Sequence, residues 1–147
     1  MTAQMPDVLI YKGEKLELFC NPLEIYFERE ERARPSFVPW HTANWRGYVA
    51  TWEIDDDRLY LMGIVGRIQA GPDPWMDSRM FALDDLFPEC GDRVEAKWFT
   101  GQLRVPRGEV VNYVHLGYFS EYEQDLIFFV EGGKVVETMI VDNRRKE

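Results

Sequence analysis

The side chains able to do chemistry in this chain are few and poorly grouped. His41 and His115 are its only histidines, the residues that change charge nearest neutral pH, and they lie far apart in sequence. His115 stands between Val114 and Leu116 in a strand-like run and reads as a core or interface histidine. His41 follows Trp40 in a proline-rich connection and is the more open to a functional role. Ser36, Ser78 and Ser120 have no Gly-x-Ser-x-Gly elbow around them, so acyl transfer through an activated serine has no support. Asp55, Asp56 and Asp57 suggest calcium by charge alone. Loops that hold calcium space their oxygens at alternate positions, with a glycine to turn the chain and a distal glutamate, and these three acids are consecutive. A polar hairpin turn is the simpler reading. Asp84 with Asp85, or Glu121 with Glu123, could serve as an acid and base pair, but a chain with 26 acidic residues offers many such pairs.

Cofactor chemistry is equally unsupported. Gly-x-Gly-x-x-Gly and the phosphate loop are both absent. Cys20 and Cys90 form no Cys-x-x-Cys and have no histidine at ligand spacing, so the expectation is two buried free thiols, no metal and no cofactor. Aromatic residues, 14% of the chain, offer more. Trp40, Trp45 and Trp75 fall at loop or strand-end positions, where an exposed ring could stack on a sugar or anchor a protein partner. Their simpler role is to plug the ends of a β barrel. The candidate binding residues are Trp40, His41, Asn44, Trp45 and Arg46, which converge just before a strand begins, together with Trp75.

Charge narrows the partners. With 17 basic and 26 acidic residues the net charge is −9, and no face-sized cluster of Lys and Arg is present to displace counterions from a phosphate backbone. Nucleic acid is not expected. Asp73 to Asp92 and Glu121 to Glu131 are locally acidic, which would suit a basic protein, although solubility explains such surfaces as well. Met1 to Asp7 lacks the basic start and apolar stretch of a signal peptide, and no window approaches eighteen apolar residues, so a cytoplasmic chain without a membrane segment is expected.

The elements that must position these residues are mostly strands. At 147 residues the chain has the size of one domain, with residues 1–6 and 143–147 expected to fray. Val8 to Phe19 reads as two strands about Gly13. Asn21, Pro22 and Glu24 supply a cap, a first-turn proline and an N3 acid for a short helix that ends by Pro35. Asn44 to Ile68 reads as a hairpin turned at the three aspartates, with Tyr48, Ala50, Trp52 and Ile54 inward. In its return strand Leu59, Leu61 and Val65 oppose Tyr60, Met62 and Ile64, as in a strand covered on both faces. Gln69 to Asp77 is a loop, Leu83 to Pro88 a helical turn, and Val94 to Thr100 an alternating strand. A turn at Gly108 leads to a strand from Val110 to Leu116. Leu126 to Val130 and Val135 to Val141 flank Gly132 and Gly133, which can take the positive φ angles of a tight turn, with Glu131 facing Lys134. About eight strands with one or two short helices make a mainly β fold, an antiparallel sandwich or partly closed barrel; the alternative is α+β.

Asn44, Trp45, Arg46, Gly47, Tyr48, Ala50, Thr51 and Trp52, with Leu86, Phe87, Pro88 and the later stretch Trp98, Phe99, Thr100, Gly101, Leu103, Arg104, Pro106 and Gly108, resemble a family of small uncharacterised bacterial proteins. The resemblance runs from about Tyr11 to Val136. It implies a bacterial source and assigns no activity, site or cofactor. Three functions follow in order of expectation: a non-enzymatic acidic interaction domain of immunity or accessory type, a β barrel holding a small apolar or sugar ligand, and last an enzyme using His41, Arg46 or scattered carboxylates. The sequence leaves the oligomeric state open.

Overall fold

The computed structural model describes residues 5–29, 35–39, 44, 46–73, 76–112 and 121–143. Its strands are β1 (Asp7–Tyr11), β2 (Glu14–Leu18), β3 (Tyr48–Asp55), β4 (Arg58–Gln69), β5 (Ser78–Phe81), β6 (Val94–Glu95), β7 (Gly101–Asn112), β8 (Glu121–Glu131) and β9 (Lys134–Asp142), with short helices α1 (Pro22–Arg29) and α2 (Leu83–Leu86). The fold is mainly β, as the strand pattern predicts. Neighbouring strands follow the order β2-β1-β3-β4-β9-β8-β7, and β5 and β6 pair with β4. Every pairing is antiparallel except that of β1 with β3.

Three two-residue turns shape the sheet. Lys12 and Gly13, Asp56 and Asp57, and Gly132 and Gly133 all have positive φ, the conformation that matches the twist of a hairpin. Glycine takes it freely and aspartate with little penalty. The three aspartates thus form the corner between β3 and β4, and Glu131 pairs with Lys134 across the last turn.

The sheet consists of two parts whose ladders meet at a single pair among the described residues. The β4–β9 ladder holds a single pair, Arg58 with Lys134. Around it the Leu59 amide donates to the Gly133 carbonyl at 2.8 Å, Val135 to Asp57 at 2.7 Å, Ala96 to Leu59 at 2.8 Å and Gly133 to Phe99 at 2.9 Å. At the far ends the Phe19 amide donates to the Arg104 carbonyl at 2.7 Å, yet no ladder among the described residues joins β2 to β7, and the barrel stays open. One apolar cluster spans both parts, with Leu9, Leu18, Trp52, Leu59 and Leu61 from one and Leu103, Val105, Phe128 and Val130 from the other. Tyr11 of β1 meets Phe128 of β8 edge to face at 4.9 Å. Helix α1 adds Leu23, Tyr26 and Phe27 to this core, and its Glu24 amide donates to the carbonyl of the expected cap, Asn21.

Four sequence expectations change. In β4, Thr51 pairs with Gly63 and Trp52 with Leu61, which leaves Met62 as an extra residue; this bulge reverses the alternation, so Leu59, Leu61 and Ile64 are buried while Val65 is 65% exposed. The strand read over Val94 to Thr100 is two residues long, because after β6 the chain folds back, the Phe99 amide donates to the Ala96 carbonyl, and both of those residues are buried. Pro106 to Gly108 is no turn: β7 passes through it with register shifts, and Gly108 supplies the positive φ in a strand at the sheet edge, where proline is tolerated. Cys20 and Cys90 are free but half-buried; Cys20 lies just beyond β2, where burial still pushes its thiol up to about 12. Among the described residues no helix is long and apolar enough to cross a membrane.

Candidate functional site

The entrance to β3 is organised by a residue at the start of β1. Parallel pairing sets Val8 against Thr51 and Leu9 against Trp52, which brings the Asp7 carboxylate beside the β3 backbone. One oxygen, Oδ1, accepts from the Ala50 amide at 3.1 Å and from Arg46 Nη2 at 2.7 Å; the other accepts from Trp52 Nε1 at 3.0 Å. Arg46 Nη1 donates to the Met5 carbonyl at 2.8 Å, and the guanidinium lies 5.3 Å from the Tyr48 ring centre. Tyr48 Oη donates to Glu24 of α1 at 2.6 Å. Burial pushes the Asp7 carboxyl up while Arg46, Trp52 and the Ala50 amide pull it back. Burial and then Glu24 push the Tyr48 phenol well above its ordinary range, so it stays protonated and serves as a donor.

These groups are committed to one another. A buried ion pair of this kind is tolerated when further hydrogen bonds satisfy its carboxylate, and Asp7 has them from the Ala50 amide and the Trp52 indole of β3. Asn44 is also buried; its Oδ1 has no hydrogen-bond partner among the described residues, and its carbonyl accepts from the Gly47 amide at 3.2 Å. Of the candidate residues, Trp40, His41, Trp45 and Trp75 lie outside the described residues, as does His115. Asn44 and Arg46 are brought together at the entrance, where Arg46 acts as a tie between β1 and β3. Sequence reasoning missed Asp7, because an acid at the edge of an expected frayed tail gives no sign that it will be covered.

The second cluster sits at the opposite end of β3. Since Tyr11 pairs with Ile54, the turns at Lys12–Gly13 and Asp56–Asp57 lie side by side. Tyr11, Lys12, Ile54, Asp55, Asp56 and Asp57 line an open cleft of about 350 Å³. Outside that lining, Arg93 has Nη1 3.0 Å from Asp55 and 3.6 Å from Glu53 and its guanidinium 3.8 Å from the Tyr60 ring centre. Asp56 and Asp57 are exposed. No trio of His, Cys, Asp or Glu side chains that could hold a metal occurs among the described residues. The Lys12 ammonium lies 5.2 Å from the Tyr11 ring centre and Asp55 is paired with Arg93, so what the cleft offers a further cation is the exposed carboxylates of Asp56 and Asp57.

No protein-family model matches the chain, and neither a curated protein nor a solved structure does.

Proposed function

We propose that this chain is a non-enzymatic interaction domain that receives a basic protein partner, in the manner of an immunity or accessory protein. The observation that carries this reading is the cleft between the two turns, where three consecutive aspartates outnumber the single cation Lys12 beside Tyr11 and Ile54 on a chain of net charge −9. A lysine or arginine side chain entering there would meet carboxylates at its head and apolar surface along its stem. The buried ionisable groups at the β3 entrance contribute to folding instead, since Arg46, Asp7 and Tyr48 are held in fixed pairs. Free Cys20 and Cys90 accord with a cytoplasmic setting.

Titration of a short oligolysine peptide, followed by amide chemical shifts at low ionic strength, tests this reading. Shifts should centre on Tyr11 to Gly13 and Ile54 to Asp57 and fade as salt is raised. Asp56→Asn with Asp57→Asn should weaken binding by about 2- to 5-fold per charge removed, the range of exposed ion pairs, and asparagine keeps the positive φ of the turn. Binding that ignores both substitutions, or no binding at low salt, overturns the proposal.

A further inference from the structure

The polar groups at the β3 entrance form one continuous series of contacts that reaches three elements. Asp7 opens β1, Glu24 stands in the first turn of α1, and Arg46 and Tyr48 lie between them where β3 begins. Arg46 Nη2 donates to Asp7 at 2.7 Å and Nη1 to the Met5 carbonyl at 2.8 Å. The same guanidinium sits over the Tyr48 ring, whose hydroxyl donates to Glu24. Asp7, Arg46 and Tyr48 are buried and Glu24 is half-buried. The two contacts of Tyr48 strengthen each other. A guanidinium over the ring draws electron density from the phenol and makes its O–H a better donor, while a carboxylate at the hydroxyl returns density to the face that holds the cation. One cation thus serves two carboxylates, Asp7 directly and Glu24 through a phenol.

We propose that Glu24, Tyr48, Arg46 and Asp7 work as a clasp that makes the docking of β1 on β3 conditional on the docking of α1. If α1 lifts, the buried Tyr48 hydroxyl loses its carboxylate, an unfavourable loss at such a position, and the ring holds the guanidinium less firmly. If β1 lifts, Arg46 loses Asp7 and the Met5 carbonyl together, and the attraction that keeps it over Tyr48 competes with water. Either departure loosens the other element, and a coupling of this kind is equal in both directions. The clasp also reaches the cleft. β1 runs from Asp7 to Tyr11, and its parallel register with β3 sets Tyr11 beside Ile54. Undocking β1 therefore removes the Tyr11–Lys12 side of the cleft, whether or not a cation binds there. A contact made by α1 thus bears on a turn at the far end of β1.

Hydrogen exchange at the Trp52 indole reports the Asp7 end, because its Nε1 donates to that carboxylate. Rates are taken relative to the amide of Phe128, a core residue of β8, which removes any change in global stability. Glu24→Gln, which keeps the side-chain shape and touches neither Asp7 nor Trp52, should speed indole exchange at least about twofold, the low end of couplings within one network. Tyr48→Phe keeps the ring under Arg46, removes the hydroxyl, and should do the same. The double variant should exchange no faster than the faster single one, since both break one link. Arg29→Gln breaks another tie of α1, from Nη1 to the Trp98 carbonyl at 2.8 Å, and should leave the indole unchanged. Indole exchange indifferent to Glu24→Gln, single effects that multiply in the double variant, or an equal response to Arg29→Gln each overturns the clasp. No cationic ligand enters the measurement, so it fails separately from oligolysine binding at the cleft.

Discussion

The β1–β2 and β8–β9 hairpins are closed in the same way and finished in opposite ways. Lys12 and Gly13 have φ of 50° and 81°, and Gly132 and Gly133 have 55° and 82°, so the turns are conformational copies. Beyond the turn, β2 alternates Leu16 and Leu18 with Lys15 and Glu17 and has one apolar face to bury. β9 places apolar residues on both faces and buries almost none of them. Turn geometry therefore settles that a hairpin forms, and the charges on the returning strand settle whether another strand can join it. The surroundings differ too. Nothing lies within 4 Å of a Cβ built on Gly13, whereas one on Gly133 would stand 2.7 Å from the Ala96 carbonyl oxygen.

Breaking the tie that holds the β1 side has the largest expected effect. Asp7→Ala strands the buried Arg46 guanidinium and removes the acceptor for Trp52, and urea denaturation should show a loss of about 3–5 kcal/mol, the cost of splitting a buried pair. A result near zero would mean that water reaches Arg46. The glycines come next. At Gly13, alanine should cost only the left-handed backbone penalty, about 1–2 kcal/mol; at Gly133 it adds a clash with backbone, so Gly133→Ala should lower the melting temperature more than Gly13→Ala does. Equal shifts would show that the Ala96 segment yields easily. The smallest effect sharpens the contrast between edges: Lys15→Ile on the exposed side of β2 should change stability by no more than about 0.5 kcal/mol while raising the tendency to self-associate at high concentration, measured by light scattering.

Legibility in the sequence followed the range of the interaction. Hairpins set by neighbouring residues could be read directly: Gly132 and Gly133 between two apolar runs, three aspartates between Ile54 and Leu59, and Asn21-Pro22 at the start of α1. Inward-facing Tyr48, Ala50, Trp52 and Ile54 followed from alternation. That alternation failed in β4, where one inserted residue, Met62, changes which side faces the core, and no composition signal marks a bulge. Val94 to Thr100 failed because two buried residues three apart, Ala96 and Phe99, serve a folded-back corner as well as a strand. At the β3 entrance the buried pairing of Arg46 was hidden, because Asp7, the partner that fixes it, arrives through a parallel pairing between distant segments. The cleft beside Asp55 to Asp57 was hidden likewise: two unrelated turns become neighbours only when β1 is laid along β3.

The single-pair junction between β4 and β9 also bears on how the chain assembles. Each hairpin can close from residues near one another in sequence, at little cost in loop entropy. Joining Asp57 to Leu59 with Gly133 to Val135 closes a loop covering about half of the chain, and such non-local closures are the slow steps of β proteins. Until that knot ties, the molecule is two partial sheets, each with an apolar side open to water. That corner is thus among the later parts its topology lets form.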